Sequence, residues 1–172
     1  MSIMRCAQAH FDKHVIKMIL EYCQLLSTCW HLLNPIEAEK HLTNKNIYKK
    51  THIHHPCVKW LQLHANHYDY VVRLALQLCK EWRYRYQHDK IHGCEPKLLF
   101  LSQHRPTLPN YNIVKTSDNP KCLQLPLPQA MPIECKKRNT IHGCVRAYRT
   151  YYKSSYKSHL VHWKRRDKPS WW

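Results

Sequence analysis

Apolar positions recur with a helical period in three stretches of this chain, and those stretches predict its main elements. The first helix is expected from about Lys13 to Thr28. Val15, Ile16, Met18, Ile19, Tyr22, Cys23 and Leu26 cover most of its circumference, as on a helix that is largely buried. Asp12 is placed to act as its N-cap, accepting from free backbone N–H groups. Pro35 closes this region, and residues 34–56 read as a polar connection. A second helix is expected after Pro56, running to about Tyr86. Val71, Ala75, Leu78 and Trp82 form its apolar stripe, opposite Asp69, Arg73, Gln77 and Lys80. Asp69 and Arg73 stand at the i,i+4 spacing of an ion pair.

The pattern lapses over residues 95–138. Seven of the ten prolines fall there: Pro96, Pro106, Pro109, Pro120, Pro126, Pro128 and Pro132. Proline removes backbone donors and breaks helices, so a long irregular segment is expected. The run LPLPQAMP is apolar enough to pack over the core. A third helix is expected from about Val145 to Trp163, with Tyr148, Tyr152, Tyr156, Leu160 and Trp163 as its apolar stripe. Arg146, Arg149, Lys153 and Lys157 make a basic ridge beside it, and the chain ends KRRDKPSWW. The tetrapeptide IHGC occurs twice, at Ile91–Cys94 and Ile141–Cys144, with no solenoid-type repeat around it. The expected architecture is all-α, one compact domain over residues 1–172 with a Pro-rich excursion and a basic C-terminal helix and tail.

Composition narrows the function. The chain has 172 residues, enough for one domain with its own core. The net charge is +17 with histidine neutral. From Lys136 to Trp172 there are eleven Lys and Arg against the single acid Asp167. Such a surface attracts polyanions, and the aromatics interleaved with its cations favour nucleic acid over a merely solubilising face. With only Gly93 and Gly143, a phosphate-cradling Gly-rich loop or a dinucleotide fingerprint is excluded. The nine cysteines are irregularly spaced, so most are expected as reduced, buried thiols. No apolar run is long enough to span a bilayer and no signal-peptide pattern is present, which reads as a soluble intracellular protein.

Two groups could carry chemistry. His14, Lys17 and Glu21 share one face of the first helix, a polar stripe among apolar neighbours. By spacing alone this is first an i,i+4 ion pair at the edge of the core, and second a reactive carboxylate with cations beside it. His55, Cys57, His64 and His67, then His92, Cys94, His142 and Cys144, are the best metal candidates. No CxxC and no finger spacing supports them, and fifteen His with nine Cys make proximity by chance common, so no metal or cofactor is assigned.

FDKHVIKMILE, then HPCVKW with NHYDY, then RDKPSWW resemble a family of phage and large-virus proteins. That family is similar to the pyrimidine-dimer DNA glycosylase of the endonuclease V type. The resemblance follows an Asp-x-His early in a long first helix, a Glu about two turns on, a proline followed by Tyr-Asp in a second helix, and a Pro-x-aromatic-aromatic C-terminus. It implies a helical glycosylase/AP lyase acting on a damaged or modified base in duplex DNA, as a monomer. Glu21 then takes the place of the carboxylate that stabilises the developing sugar cation. The nucleophile is an N-terminal amine, here that of Ser2 once Met1 is removed, with Lys17 or Lys13 as substitutes if buried. His14 orients Glu21 or meets a phosphate. Arg146, Arg149, Lys153, Lys157, Lys164, Arg165 and Arg166 meet phosphates, and Trp171 and Trp172 stack on bases. The alternatives are a non-catalytic nucleic-acid-binding protein on the same fold, with RNA as a further polyanion, and a zinc-stapled viral interaction module.

Overall fold

A computed structural model describes residues 2–109 and 126–172. Those residues form seven α-helices and no strand. The fold is therefore all-α, as the periodicity predicts. Residues 110–125, with Pro120 and the first leucine of LPLPQAMP, lie outside the described segments.

A short helix not foreseen, α1 (Ile3–Ala9), opens the chain, its N-terminus capped by Ser2 Oγ accepting from the Arg5 N–H at 3.3 Å. The first expected helix is α2 (Asp12–Leu33), five residues longer at its C-terminus than its pattern suggests. Pro35 ends it, since the residue before a proline leaves the α region. Asn34 is that residue, and it also starts α3 (Pro35–Thr43), in which proline takes the first helical turn. The supposed polar connection is thus partly helical. The second expected helix is two: α4 (Pro56–Leu61) and α5 (Ala65–Tyr86). His64 is extended between them, and its ring nitrogen accepts the Asn66 N–H at 3.0 Å. The apolar period runs on across this break, because a histidine cap leaves no mark on hydrophobicity.

α5 is the centre of the molecule. Residues Ala65–Val72 are buried on every side, and the helix touches α1, α2, α4 and α6 (Glu95–Gln103). Val15, Ile19, Cys23 and Leu26 of α2 meet Leu74, Ala75 and Leu78 of α5 in one apolar core, with Leu98 and Leu101 from α6. α6 lies at the start of the expected irregular segment. Its proline sits in the first turn, where the missing N–H would have no helical partner anyway. Asp69 is buried, and its carboxylate accepts from Arg105 Nε at 2.6 Å, a partner from beyond α6, while Arg73 one turn on adds its charge.

The last helix, α7 (Ile141–Lys153), ends ten residues earlier than expected. Ser154 stops it: its N–H bonds back to Thr150 and its hydroxyl to the Tyr151 carbonyl at 2.6 Å, a local alternative to helix. Tyr148 and Tyr152 lie on the helix, while Tyr156, Leu160 and Trp163 come after it, and Tyr156 is exposed. Within LPLPQAMP, Leu127 packs on the main core, and Cys144 Sγ and the Tyr148 hydroxyl donate to the carbonyls of Leu127 and Pro128. Of the two IHGC copies, only the second needs its glycine. A Cβ on Gly143 would stand 1.9 Å from the Arg138 carbonyl oxygen, whereas around Gly93 there is open space.

Beyond α7 the chain folds back over the start of α2. Phe11, Tyr152 and Trp163 form a second, aromatic core, with Leu160, Val161, Trp171 and Trp172 packed against it. Beneath it runs a charged network. Arg85 is fully buried and donates to Glu81 Oε1 (2.8 Å), Asp12 Oδ1 (2.9 Å) and the carbonyls of His10 (2.8 Å) and Gln8 (2.9 Å). Asp12 is therefore not the N-cap of α2, a position that falls to Phe11. Its carboxylate receives Arg85, His162 Nδ1–H at 2.6 Å and the Lys164 N–H. Glu81 binds Arg166 through both oxygens at 2.8 and 2.9 Å. These partners hold both carboxyl groups below their usual range, although burial pushes the other way.

Candidate active site

Along α2 the polar stripe forms as its spacing requires. Lys17 Nζ lies 3.1 Å from Glu21 Oε1, with side chains 63% and 39% exposed. An exposed i,i+4 pair contributes only about 0.3–0.5 kcal/mol, so it does little to hold the fold. Asp12, Asp69 and Glu81 are by contrast buried and engaged by arginines. Glu21 is thus a carboxylate on the helical scaffold that solvent, or a substrate, can reach.

His14 has a different setting. Its ring stacks on Phe11 with centroids 4.0 Å apart, and its Nδ1 is hydrogen-bonded to the Tyr152 hydroxyl at 2.9 Å. Burial, then the charges of His10, Lys157 and Lys17, lower its pKa to about 3. His14 is neutral at pH 7, so toward an anion it has only a hydrogen bond to offer. His10, buried against the Cys6 carbonyl, is likewise lowered to about 4, chiefly by burial. Both values fall below the unfolded value of about 6.5, so the unfolded chain takes up protons first as the pH drops. Stability from these two groups is complete above about pH 6.5 and lost below it, on the order of 2–4 kcal/mol by pH 5. Thermal melts at pH 7 and pH 5 test this, and a higher melting temperature at pH 5 would count against it.

Two segments lie around the Glu21–Tyr22 turn of α2. Cys6, one turn after Ser2 in α1, shares the buried surroundings of Tyr22 with Tyr70, Tyr148 and Tyr152. His55 and Cys57, flanking Pro56, both feel the Glu21 charge, though burial dominates the shift of each. Lys13 and Lys17 are exposed, so neither has the apolar burial that activates a lysine nucleophile.

The C-terminal cations divide into two sets. Lys157 lies near His14 and over the Tyr151 ring at 5.2 Å. Arg149 lies over Trp171 at 5.3 Å, and its buried Nε has no hydrogen-bond partner among the described residues. Arg146 and Lys153 are exposed on α7. Lys164, Arg165 and Arg166 instead stand at the end of α5, over Tyr86 (5.5 Å) and Tyr84 (5.8 and 4.0 Å), and Arg166 is taken up by Glu81. Trp171 and Trp172 are partly buried, one near Tyr152 and the other against Trp163. The sequence reading missed Phe11, Arg85 and the Tyr152 hydroxyl. Tyr152 counted as apolar by its period, and nothing local says where a hydroxyl will point.

The metal candidates have other partners. His55, His64 and His92 each accept a backbone N–H two residues on, from Cys57, Asn66 and Cys94. His67 stacks on Trp60 at 3.9 Å and donates to its carbonyl. Among the described residues no three His, Cys, Asp or Glu are gathered to hold a metal, and no two cysteines are bonded.

The sequence model of the pyrimidine dimer DNA glycosylase family matches residues 4–92. This chain belongs to that family. The match runs from α1 through α5 and includes Asp12, His14, Lys17, Glu21, Glu81 and Arg85. It stops short of α6 and α7, so in this glycosylase-family chain Tyr152, Arg149 and Trp171 come from outside the matched region. No curated protein and no solved structure matches the chain. No helix among the described residues is long and apolar enough to cross a membrane.

Proposed function

We propose that the chain is a single-domain DNA glycosylase with lyase activity, acting on a damaged or modified base in duplex DNA. The observation that carries this reading is the accessible Glu21 carboxylate with Lys17 beside it, in a chain of the pyrimidine dimer glycosylase family. Removal of Met1 would leave the Ser2 α-amine, and such amines, with a pKa of about 7.7–8.0, are partly neutral at pH 7. The amine attacks C1′ of the deoxyribose as the glycosidic bond breaks. The base leaves with the bonding electrons and takes up a proton. Glu21 stabilises the positive charge that develops at C1′ and then assists the proton transfers that open the sugar to an imine. Neutral His14, fixed by Phe11 and Tyr152, offers a hydrogen bond beside it. Arg146, Arg149, Lys153 and Lys157 lie along α7 and just beyond it to take phosphates. Trp171, carrying Arg149 on its face, would support a displaced nucleotide.

Borohydride decides between catalysis and simple binding. With an abasic duplex and a panel of lesion-containing and hypermodified duplexes, it should trap a covalent protein–DNA adduct on at least one substrate. Peptide mapping should place the adduct at Ser2. Tight duplex binding with no cleavage and no adduct on any substrate would leave the protein a non-catalytic DNA binder.

A further inference from the structure

The segment before α4 stands out electrostatically. No acid occurs between Glu39 and Asp69. Within that span Lys49, Lys50, His52, His54 and Lys59 are exposed, and Ile53 at the middle of the turn is 39% exposed. An exposed basic stretch is ordinarily a mobile, solvated face. This one is fastened to α2. Ser27 Oγ accepts the Tyr48 N–H at 3.1 Å, and the His31 ring donates to the Tyr48 carbonyl at 3.0 Å. Thr28 Oγ1 both accepts the Thr51 N–H and donates to the Thr51 carbonyl, each at 3.0 Å. Ser27 and Thr28 are fully buried polar residues in the wall of the core, and through these bonds they hold the turn.

The turn is also closed on itself. The His55 N–H bonds the His52 carbonyl at 2.8 Å, and Thr51 Oγ1 is hydrogen-bonded to His52 Nδ1 at 2.8 Å. His52 has a φ of 50°, in the left-handed region that non-glycine residues seldom occupy. At its far end, His55 and Cys57 are near enough to Glu21 to feel its charge. A tethered, acid-free turn that carries two lysines and lies near Glu21 has its ordering cost met before binding, which is the arrangement that favours a polyanion.

We infer that the turn from Lys49 to His55 is a second DNA-backbone contact, with Lys49 and Lys50 on phosphates. The inference rests on the DNA-acting reading above and extends it: the duplex is gripped by two segments, one of them inside the region matched by the family. Each phosphate neutralised lowers the slope of log affinity against log salt by about 0.9. The test is a salt titration of binding to an abasic-site duplex by wild type, by Lys49→Ala/Lys50→Ala and by Lys40→Ala/Lys80→Ala. The turn variant should lose about two units of slope and the second pair less than half of that. Thr28→Val, which frees the turn without removing charge, should weaken binding several-fold. An unchanged slope for the turn variant, or an equal loss from both pairs, overturns the inference alone. A wild-type protein that binds no duplex overturns it together with the proposed function.

Discussion

Glu21→Gln should lower turnover on a susceptible duplex by about 10²–10⁴-fold, the range expected when a positioned carboxylate is neutralised. Glutamine keeps the length of the side chain and can still hydrogen-bond Lys17, so only the charge is lost. The Lys17–Glu21 pair is exposed and worth only about 0.3–0.5 kcal/mol, so the melting temperature should move by no more than about 2 °C. Binding should hold or tighten slightly, because an anion beside the phosphates has been removed. Single-turnover nicking measured beside equilibrium binding separates the two effects. Undiminished turnover would remove Glu21 from the chemistry. Equal losses in binding and turnover would make it part of the docking surface instead.

Arg85→Met should be the most damaging single change to the fold. The arginine is fully buried and joins Gln8, His10, Asp12 and Glu81. Methionine fills much of its volume, yet Asp12 loses its buried partner and Glu81 keeps only Arg166. Breaking a buried pair from one side costs about 3–5 kcal/mol, a large share of the roughly 5–15 kcal/mol that holds a domain together. For a chain of this length, that is a fall of roughly 6–20 °C in melting temperature. Adding Asp12→Asn and Glu81→Gln to Arg85→Met should recover part of the loss, since the cost comes from carboxylates left charged without a partner. A melting temperature for Arg85→Met within a degree or two of wild type would show that the network contributes little. The same variant should loosen the C-terminal tail, because His162, Lys164 and Arg166 are held by those carboxylates. Faster trypsin cleavage in Lys164–Lys168 reports on that release.

Much of this was legible in one dimension. The existence of α2 and α5 is legible because each buries a broad apolar stripe, and burial is what hydrophobic period encodes. His14, Lys17 and Glu21 share a face by spacing alone. The boundaries were less legible. Histidine caps, a proline tolerated in a first turn and serines that bond their own backbone ended or began helices without changing hydrophobicity at all.

The sequence by itself determined that this protein is helical, strongly basic and built around a core of two long helices, and that its FDKHVIKMILE segment aligns a carboxylate, a lysine and a histidine. Those properties follow from local periodicity and composition. Only the tertiary structure decided which charges are spent inside the fold and which are offered outward. Asp12, Glu81, Arg85 and Arg166 look as available in sequence as Glu21 and Lys157. Partners up to about 150 positions away engage the first four, as in the Asp12–His162 bond. Glu21 stays accessible, 39% exposed, and its ion-pair partner is an exposed lysine one turn away.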